Sequence, residues 1–217
     1  MEKQVNIAGY LDSTYLKTSA EAGVSEIETK EIVINAIKEA IDAKFACIMI
    51  RSEFIAIAKE LIEKSKSKLK IGTVVDFPFG NSTTEQKIIE AKSAIESGAY
   101  DIDYVCDYNA FKRGAFAKFD SDIIEGTKIV LENKRIVKWI IETGALSADE
   151  IKAIAKRISK LVQSNFPKNT NKVFIKTSTG YYGGYGATVK DVKAIKSVAG
   201  NLQIKASGGM SNLKDCL

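Results

Sequence analysis

The sequence contains no histidine. That absence removes the side chain whose ordinary pKa lies nearest neutrality, so proton transfer must fall to Asp, Glu, Lys, Tyr or water. It also argues against a zinc site of the usual kind. There are only three cysteines, Cys47, Cys106 and Cys216, and no two of them have CxxC spacing. Cys47 and Cys106 fall inside apolar runs, where a thiol serves as a small hydrophobe, which fits reduced cysteines in a cytoplasmic protein. No apolar run approaches the length of a membrane span, and no signal peptide opens the chain, so no membrane partner is expected. Neither sign of charge dominates, the formal net charge being +5. The densest basic run, residues 63–70, has no interleaved aromatics. It reads as a solvated helix end rather than a nucleic-acid surface.

What is present is an alternating pattern. Strand-like runs at 5–11, 45–50, 70–77, 100–106, 136–142, 173–177 and 202–206 alternate with helix-like stretches at 28–43, 54–64, 83–97, 121–133, 147–166 and 188–199. Phe45 to Ile50 is almost continuously apolar, the mark of a strand buried on both faces. Thr188 is expected to cap the last helix, with Asp191 completing a capping box. Strands alternating with helices at this spacing predict a parallel sheet covered by helices. No linker or repeat divides residues 1–217, so one domain is expected. The first strand lacks the GxGxxG turn of a dinucleotide fold, which favours a (β/α)8 TIM barrel over an open doubly wound sheet. Only seven units can be counted, so the barrel is expected to lack its C-terminal eighth strand and helix.

The stretch richest in chemistry is residues 172–188. A short strand delivers Lys176 into a rim of hydroxyls, Thr177, Ser178 and Thr179, followed by a glycine-rich loop. An amine so placed can attack a carbonyl, and backbone N–H groups in such loops can hold a phosphate. Other strands carry ionisable residues at comparable depths: Asp101 and Asp103 on the fourth, Lys138 on the fifth, Lys205 on the seventh. Charges inside strands this apolar are costly unless paired or set at a rim, and a barrel would converge them. An amine attacks a carbonyl only when unprotonated, and a neighbouring cation such as Lys205 favours that form of Lys176. Asp103 could then shuttle protons. Gly180, Gly208 and Gly209 follow strands six and seven, where barrels often bind phosphate, although tight turns use the same residue.

These pieces resemble a known family. Leu11-Asp12-Ser13-Thr14-Tyr15-Leu16-Lys17, Thr73-Val74-Val75-Asp76-Phe77-Pro78-Phe79-Gly80, Asp101-Ile102-Asp103-Tyr104-Val105, Val137-Lys138-Trp139-Ile140-Ile141-Glu142-Thr143, Ile175-Lys176-Thr177-Ser178-Thr179-Gly180 and Lys205-Ala206-Ser207-Gly208-Gly209 are similar, in this order, to deoxyribose-phosphate aldolase. The resemblance implies a class I lyase that reversibly cleaves 2-deoxy-D-ribose 5-phosphate, a product of nucleoside breakdown, to D-glyceraldehyde 3-phosphate and acetaldehyde. Lys176 would form the Schiff base, with Asp103 and Lys205 relaying protons. Asp12, Thr14, Lys138 and Thr177 would line the substrate pocket. Gly180, Gly208 and Gly209 would hold the phosphate. No metal or organic cofactor is implied, because the iminium is itself the electron sink. A homodimer in the cytoplasm is the expected assembly. The alternative is a non-catalytic sugar-phosphate-binding or partner-binding barrel of the same family, inactive for want of the C-terminal segment. One stretch departs from the family: Cys47-Ile48-Met49-Ile50-Arg51 stands where a Cys-Val-Asn-Pro type stretch is common.

Overall fold

The computed structural model describes residues 6–210. Val5, at the head of the expected first strand, and Cys216 lie outside them. The chain divides into two compact units. One runs to Val74 and adds Ser93–Asp101; the other comprises Val75–Lys92 and the chain from Ile102 onward.

The first unit holds β1 (Asp12–Tyr15), α1 (Ser19–Ala22), α2 (Glu26–Asp42), β2 (Cys47–Ile50), α3 (Ile55–Ser65) and nearly all of β3 (Lys70–Val75). β1 and β2 pair in parallel with Asp12 opposite Cys47 and Thr14 opposite Met49. β2 and β3 continue the sheet with Cys47 opposite Lys70. Every residue of β2 is buried, as its unbroken apolar run requires. α2 buries Val33, Ile37 and Ala40 along one stripe. It begins two residues before the expected Glu28, because Ser25 caps it. The Ser25 hydroxyl accepts from the Glu28 N–H, and the Glu28 carboxylate accepts from the Ser25 N–H, which holds that carboxyl below its usual range.

The first strand corrects the sequence reading. Ile7–Tyr10 forms a 3-10 turn with no buried residue, and the strand begins only at Asp12. The apolar residues of 5–11 imitate a strand. Pairing, however, starts where the Leu11 carbonyl accepts from the Ala46 N–H at 2.9 Å. Asp12 and Thr14 therefore lie within β1, not in a loop after it.

The second unit holds β4 (Asp101–Val105, from Ile102 onward), α5 (Tyr108–Lys112), α6 (Phe116–Glu132), β5 (Ile136–Ile140), α7 (Ala148–Asn165), β6 (Val173–Lys176), α8 (Val189–Lys196) and β7 (Gln203–Lys205). α4 (Thr84–Ser97), the helix between β3 and β4, starts in this unit and ends in the other. α6 begins five residues before the expected Ser121. Its first turn is recruited by aromatic packing, Phe116 and Phe119 both lying against Phe111 of α5, a helix the sequence reading did not foresee. Thr188 caps α8 as expected, accepting from the Asp191 N–H at 3.1 Å. The capping box is incomplete, because the Asp191 carboxylate accepts instead from the Tyr185 hydroxyl at 2.9 Å.

The core of this unit centres on Trp139. Its ring stacks on Tyr104 at 4.6 Å between centroids, and its indole N–H donates to Thr127 Oγ1 at 3.0 Å. α6 approaches closely at Gly126, where a Cβ would stand 2.8 Å from the indole ring. Burial pushes both the Tyr104 phenol and the Cys106 thiol well up, so Cys106 packs as an inert hydrophobe.

One buried cation was not anticipated. Lys87 is 1% exposed. Its ammonium donates to the carbonyls of Gly80 and Val105 at 3.0 and 3.1 Å and to Asp122 at 2.9 Å. Asp76 stands 3.5 Å away, and its carboxylate also accepts from the Ser82 N–H and hydroxyl. Lys87 thus ties the loop 76–83 to α6. Lys87→Met would leave Asp122 and two carbonyls short of their donor. It is expected to cost about 3–5 kcal/mol of stability, read as a lower urea midpoint. An unchanged midpoint would show that the apolar replacement compensates.

Within each unit the strands follow chain order and pair in parallel, β1-β2-β3 in the first and β5-β6-β7 in the second. This is the (β/α)8 barrel fold carried through its seventh strand, and no eighth strand occurs among the described residues. Among those residues no helix is long and apolar enough to cross a membrane.

Candidate active site

Strand register brings the site together. In the second unit Lys138 pairs in register with Phe174, Ile140 with Lys176, and Lys176 with Lys205. Asp103 on β4 is fully buried. Its two carboxylate oxygens receive separate lysines: Lys176 Nζ donates to Oδ2 at 2.7 Å, and Lys138 Nζ to Oδ1 at 3.1 Å. Both lysines are themselves 5% exposed or less. Isolated charges at such depth would be prohibitive, so the three form one unit, an anion held between two cations.

This refines the sequence expectation. Lys205 was expected to be the cation beside Lys176. It does sit opposite Lys176 in the register, half-buried on β7. Lys138, expected to line the pocket, donates to the same carboxylate as Lys176. Thr177 is buried. Its hydroxyl donates to the Ser207 carbonyl and accepts from the Ser207 N–H, at 3.2 and 3.0 Å, joining the exits of β6 and β7.

The glycine loops beyond those exits meet main chain to main chain. Gly180, Gly208 and Gly209 all have positive φ. A Cβ on Gly186 would stand 2.5 Å from the Gly208 carbonyl oxygen, and one on Gly208 would stand 3.1 Å from the Gly186 Cα. The Ala187 N–H donates to the Gly208 carbonyl at 3.1 Å. Only glycine allows this approach.

Glu142 was not picked out from the sequence. It follows β5, is 1% exposed and adopts a left-handed backbone at φ +57°. Its Oε2 accepts from both the N–H and the hydroxyl of Thr179. Burial raises its pKa, opposed by those bonds and by the charge of Lys176. A buried carboxylate two residues past a strand end carries no sequence signal of its own.

Asp12 and Thr14 lie in the first unit, Asp12 half-buried and Thr14 exposed. A surface cavity of about 580 Å³ in that unit, lined by Lys17, Thr18, Glu26, Thr29 and Lys30 among others, contains none of the expected site residues.

A buried lysine beside an acid on a barrel is the constellation of an amine nucleophile with its proton partner. Comparison with known proteins gives the family. No protein-family model matches the chain. Among curated relatives, the deoxyribose-phosphate aldolase of Staphylococcus saprophyticus is 39% identical over 212 residues, 97% of this chain and 86% of the relative. That of Thermococcus gammatolerans is 35% identical over 214 residues, 98% of this chain and 87% of the relative. Among solved structures, an aldolase named QR15 superposes with TM-score 0.76 at 28% identity, covering 97% of this chain and 85% of that one. A tetrameric deoxyribose phosphate aldolase from Aeropyrum pernix gives TM-score 0.73 at 26% identity, covering 94% and 77%. With relatives this similar along nearly its whole length, and with its (β/α) order of strands, the chain belongs to the deoxyribose-phosphate aldolase family.

Proposed function

We propose that the chain performs its family's aldol cleavage with Lys176 as the Schiff-base lysine. The observation that carries this reading is the buried ion pair between Lys176 and Asp103. The unprotonated amine attacks C1 of the open-chain sugar phosphate, and the carbinolamine loses water to give an iminium. The C3 hydroxyl then gives up its proton, through water, to the Asp103 carboxylate. The C2–C3 bond breaks, its electrons pass to the enamine, and glyceraldehyde 3-phosphate leaves. Protonation of the enamine at C2 and hydrolysis of the iminium release acetaldehyde and restore the amine. Asp103 is the proton carrier at the nitrogen, with Lys205 assisting and Lys138 holding the carboxylate. Thr177 joins the exits of β6 and β7, and Asp12 and Thr14 line the pocket. Gly180, Gly208 and Gly209 offer main-chain N–H groups to the phosphate. No further cofactor enters this scheme, because the iminium accepts the electrons. The same reading takes residues 1–217 as one barrel domain that assembles as a homodimer in the cytoplasm. The non-catalytic alternative is favoured by no observation on the site.

The test is borohydride reduction in the presence of acetaldehyde, followed by peptide mapping. Ethylation confined to the peptide carrying Lys176 is the expected result; scattered labelling of surface lysines would refute the assignment. The phosphate reading has its own test. Gly186→Ala would push Gly208 out of place and is expected to raise KM for the sugar phosphate by about 10-fold or more, with KM for unphosphorylated 2-deoxyribose little changed. Equal changes for both substrates would remove the glycine loops from phosphate binding.

A further inference from the structure

Glu142 has an unusual set of partners. Two donors from Thr179 converge on a single oxygen, Oε2, which fixes that oxygen as the acceptor. The other oxygen, Oε1, is buried and has no hydrogen-bond partner. An ionised carboxylate left half unsatisfied at 1% exposure bears a heavy desolvation cost, whereas a neutral acid carrying its proton on Oε1 bears much less. Around it stand Tyr108 of α5, whose phenol is raised chiefly by burial, and Lys176 of β6, whose charge favours ionisation.

The position of Glu142 in the chain gives that acid a use. Thr179 lies between Lys176 and Gly180, and the Thr179 hydroxyl in turn accepts from the Tyr181 N–H at 3.0 Å. The next residue, Thr143, donates its N–H to the Thr177 carbonyl at 2.9 Å, and its hydroxyl meets Ser178 Oγ at 3.2 Å. The exit of β5 therefore grips every residue from Thr177 to Thr179. The left-handed backbone at Glu142 turns its side chain onto this loop, a strained geometry of the sort held at functional sites.

We propose that Glu142 is a positioning residue that works as an uncharged carboxylic acid, holding the loop 177–180 in the shape that receives the substrate phosphate. This rests on the aldolase reading above. Steady-state kinetics with 2-deoxyribose 5-phosphate and with 2-deoxyribose test it. Glu142→Ala is expected to raise KM for the phosphorylated sugar by about 10-fold or more, the scale set by losing a group that orients a binding element, while KM for 2-deoxyribose stays nearly constant. Glu142→Gln keeps an acceptor for Thr179 and a donor in place of the acid proton, and is expected to recover most of that loss. Thr179→Val should move KM in the same direction as Glu142→Ala, which covers the case in which the alanine variant folds poorly. Borohydride trapping on Lys176 should persist in all three.

Glutamine as damaging as alanine would overturn the proposal, since charge would then be required. So would equal KM changes for the two sugars, or a fall in thermal stability alone, because the contact would then be merely structural. If the unsubstituted protein forms no iminium on Lys176, the aldolase reading fails first and this proposal falls with it.

Discussion

Lys176→Leu is expected to abolish turnover, lowering kcat by on the order of 10⁴-fold or more, as removal of a covalent nucleophile does elsewhere. The β5–β6–β7 register places Lys176 between Ile140 and Lys205, so the variant keeps Lys138 and Lys205 as the neighbouring amines against which the loss is read. The variant should also lose the ethyl label that acetaldehyde and borohydride leave on the unsubstituted protein. Its fold should survive. Asp103 keeps Lys138 at 3.1 Å, so the substitution removes one of two cations and leaves the anion paired. A circular-dichroism melt separates the outcomes. A folded but inactive and unlabelled variant supports the assignment. A folded variant with activity within about tenfold of the original would transfer the chemistry to another residue.

Asp103→Asn should show two losses at once. The first is kinetic, about 10²–10⁴-fold in kcat, the usual weight of a positioned acid–base group. The second is in stability. Lys138 and Lys176 would both lose the carboxylate they share, and breaking such a buried set from one side costs about 3–5 kcal/mol. The kinetic signature differs from that of Lys176→Leu. The nucleophile remains, so borohydride trapping should be slowed and not eliminated. Trapping at the original rate, with kcat unaffected, would make Asp103 a structural counter-ion only. Restoring stability by a second change, Lys138→Met, without restoring turnover would separate the two contributions.

How far the sequence carried can be judged residue by residue. The unbroken apolar run at Cys47–Ile50 and the amphipathic stripe of α2 predicted their own burial, because local periodicity and packing ask for the same pattern there. The motifs around Asp103, Lys138 and Lys176 could be read for the same reason: polar residues within apolar strands need a partner. Which partner each would take could not be read. Lys138 shares the Asp103 carboxylate with Lys176, and that depends on side-chain reach across strands. The strand expected at 5–11 failed because alternating apolar residues also suit an exposed 3-10 turn, and only pairing with residues some 35 positions away decides between them. Lys87 gave no signal, and Glu142 gave only that of the motif at 137–143. Each looks like an ordinary charged residue on a helix or just past a strand, and long-range contacts alone bury it.

The shared carboxylate has one more implication. The ammonium of Lys176 and the iminium it would become carry the same positive charge at the same nitrogen. Asp103 therefore faces a cation in the resting state and again in the iminium, with a neutral nitrogen only in the amine, carbinolamine and enamine between them, and Lys138 donates to its other oxygen. The surrounding dipoles need little rearrangement between the resting and covalent states. In the language of electron-transfer theory, such a site has a low reorganisation energy. The protein sets its polarisation once, as it folds, and each catalytic cycle reuses it.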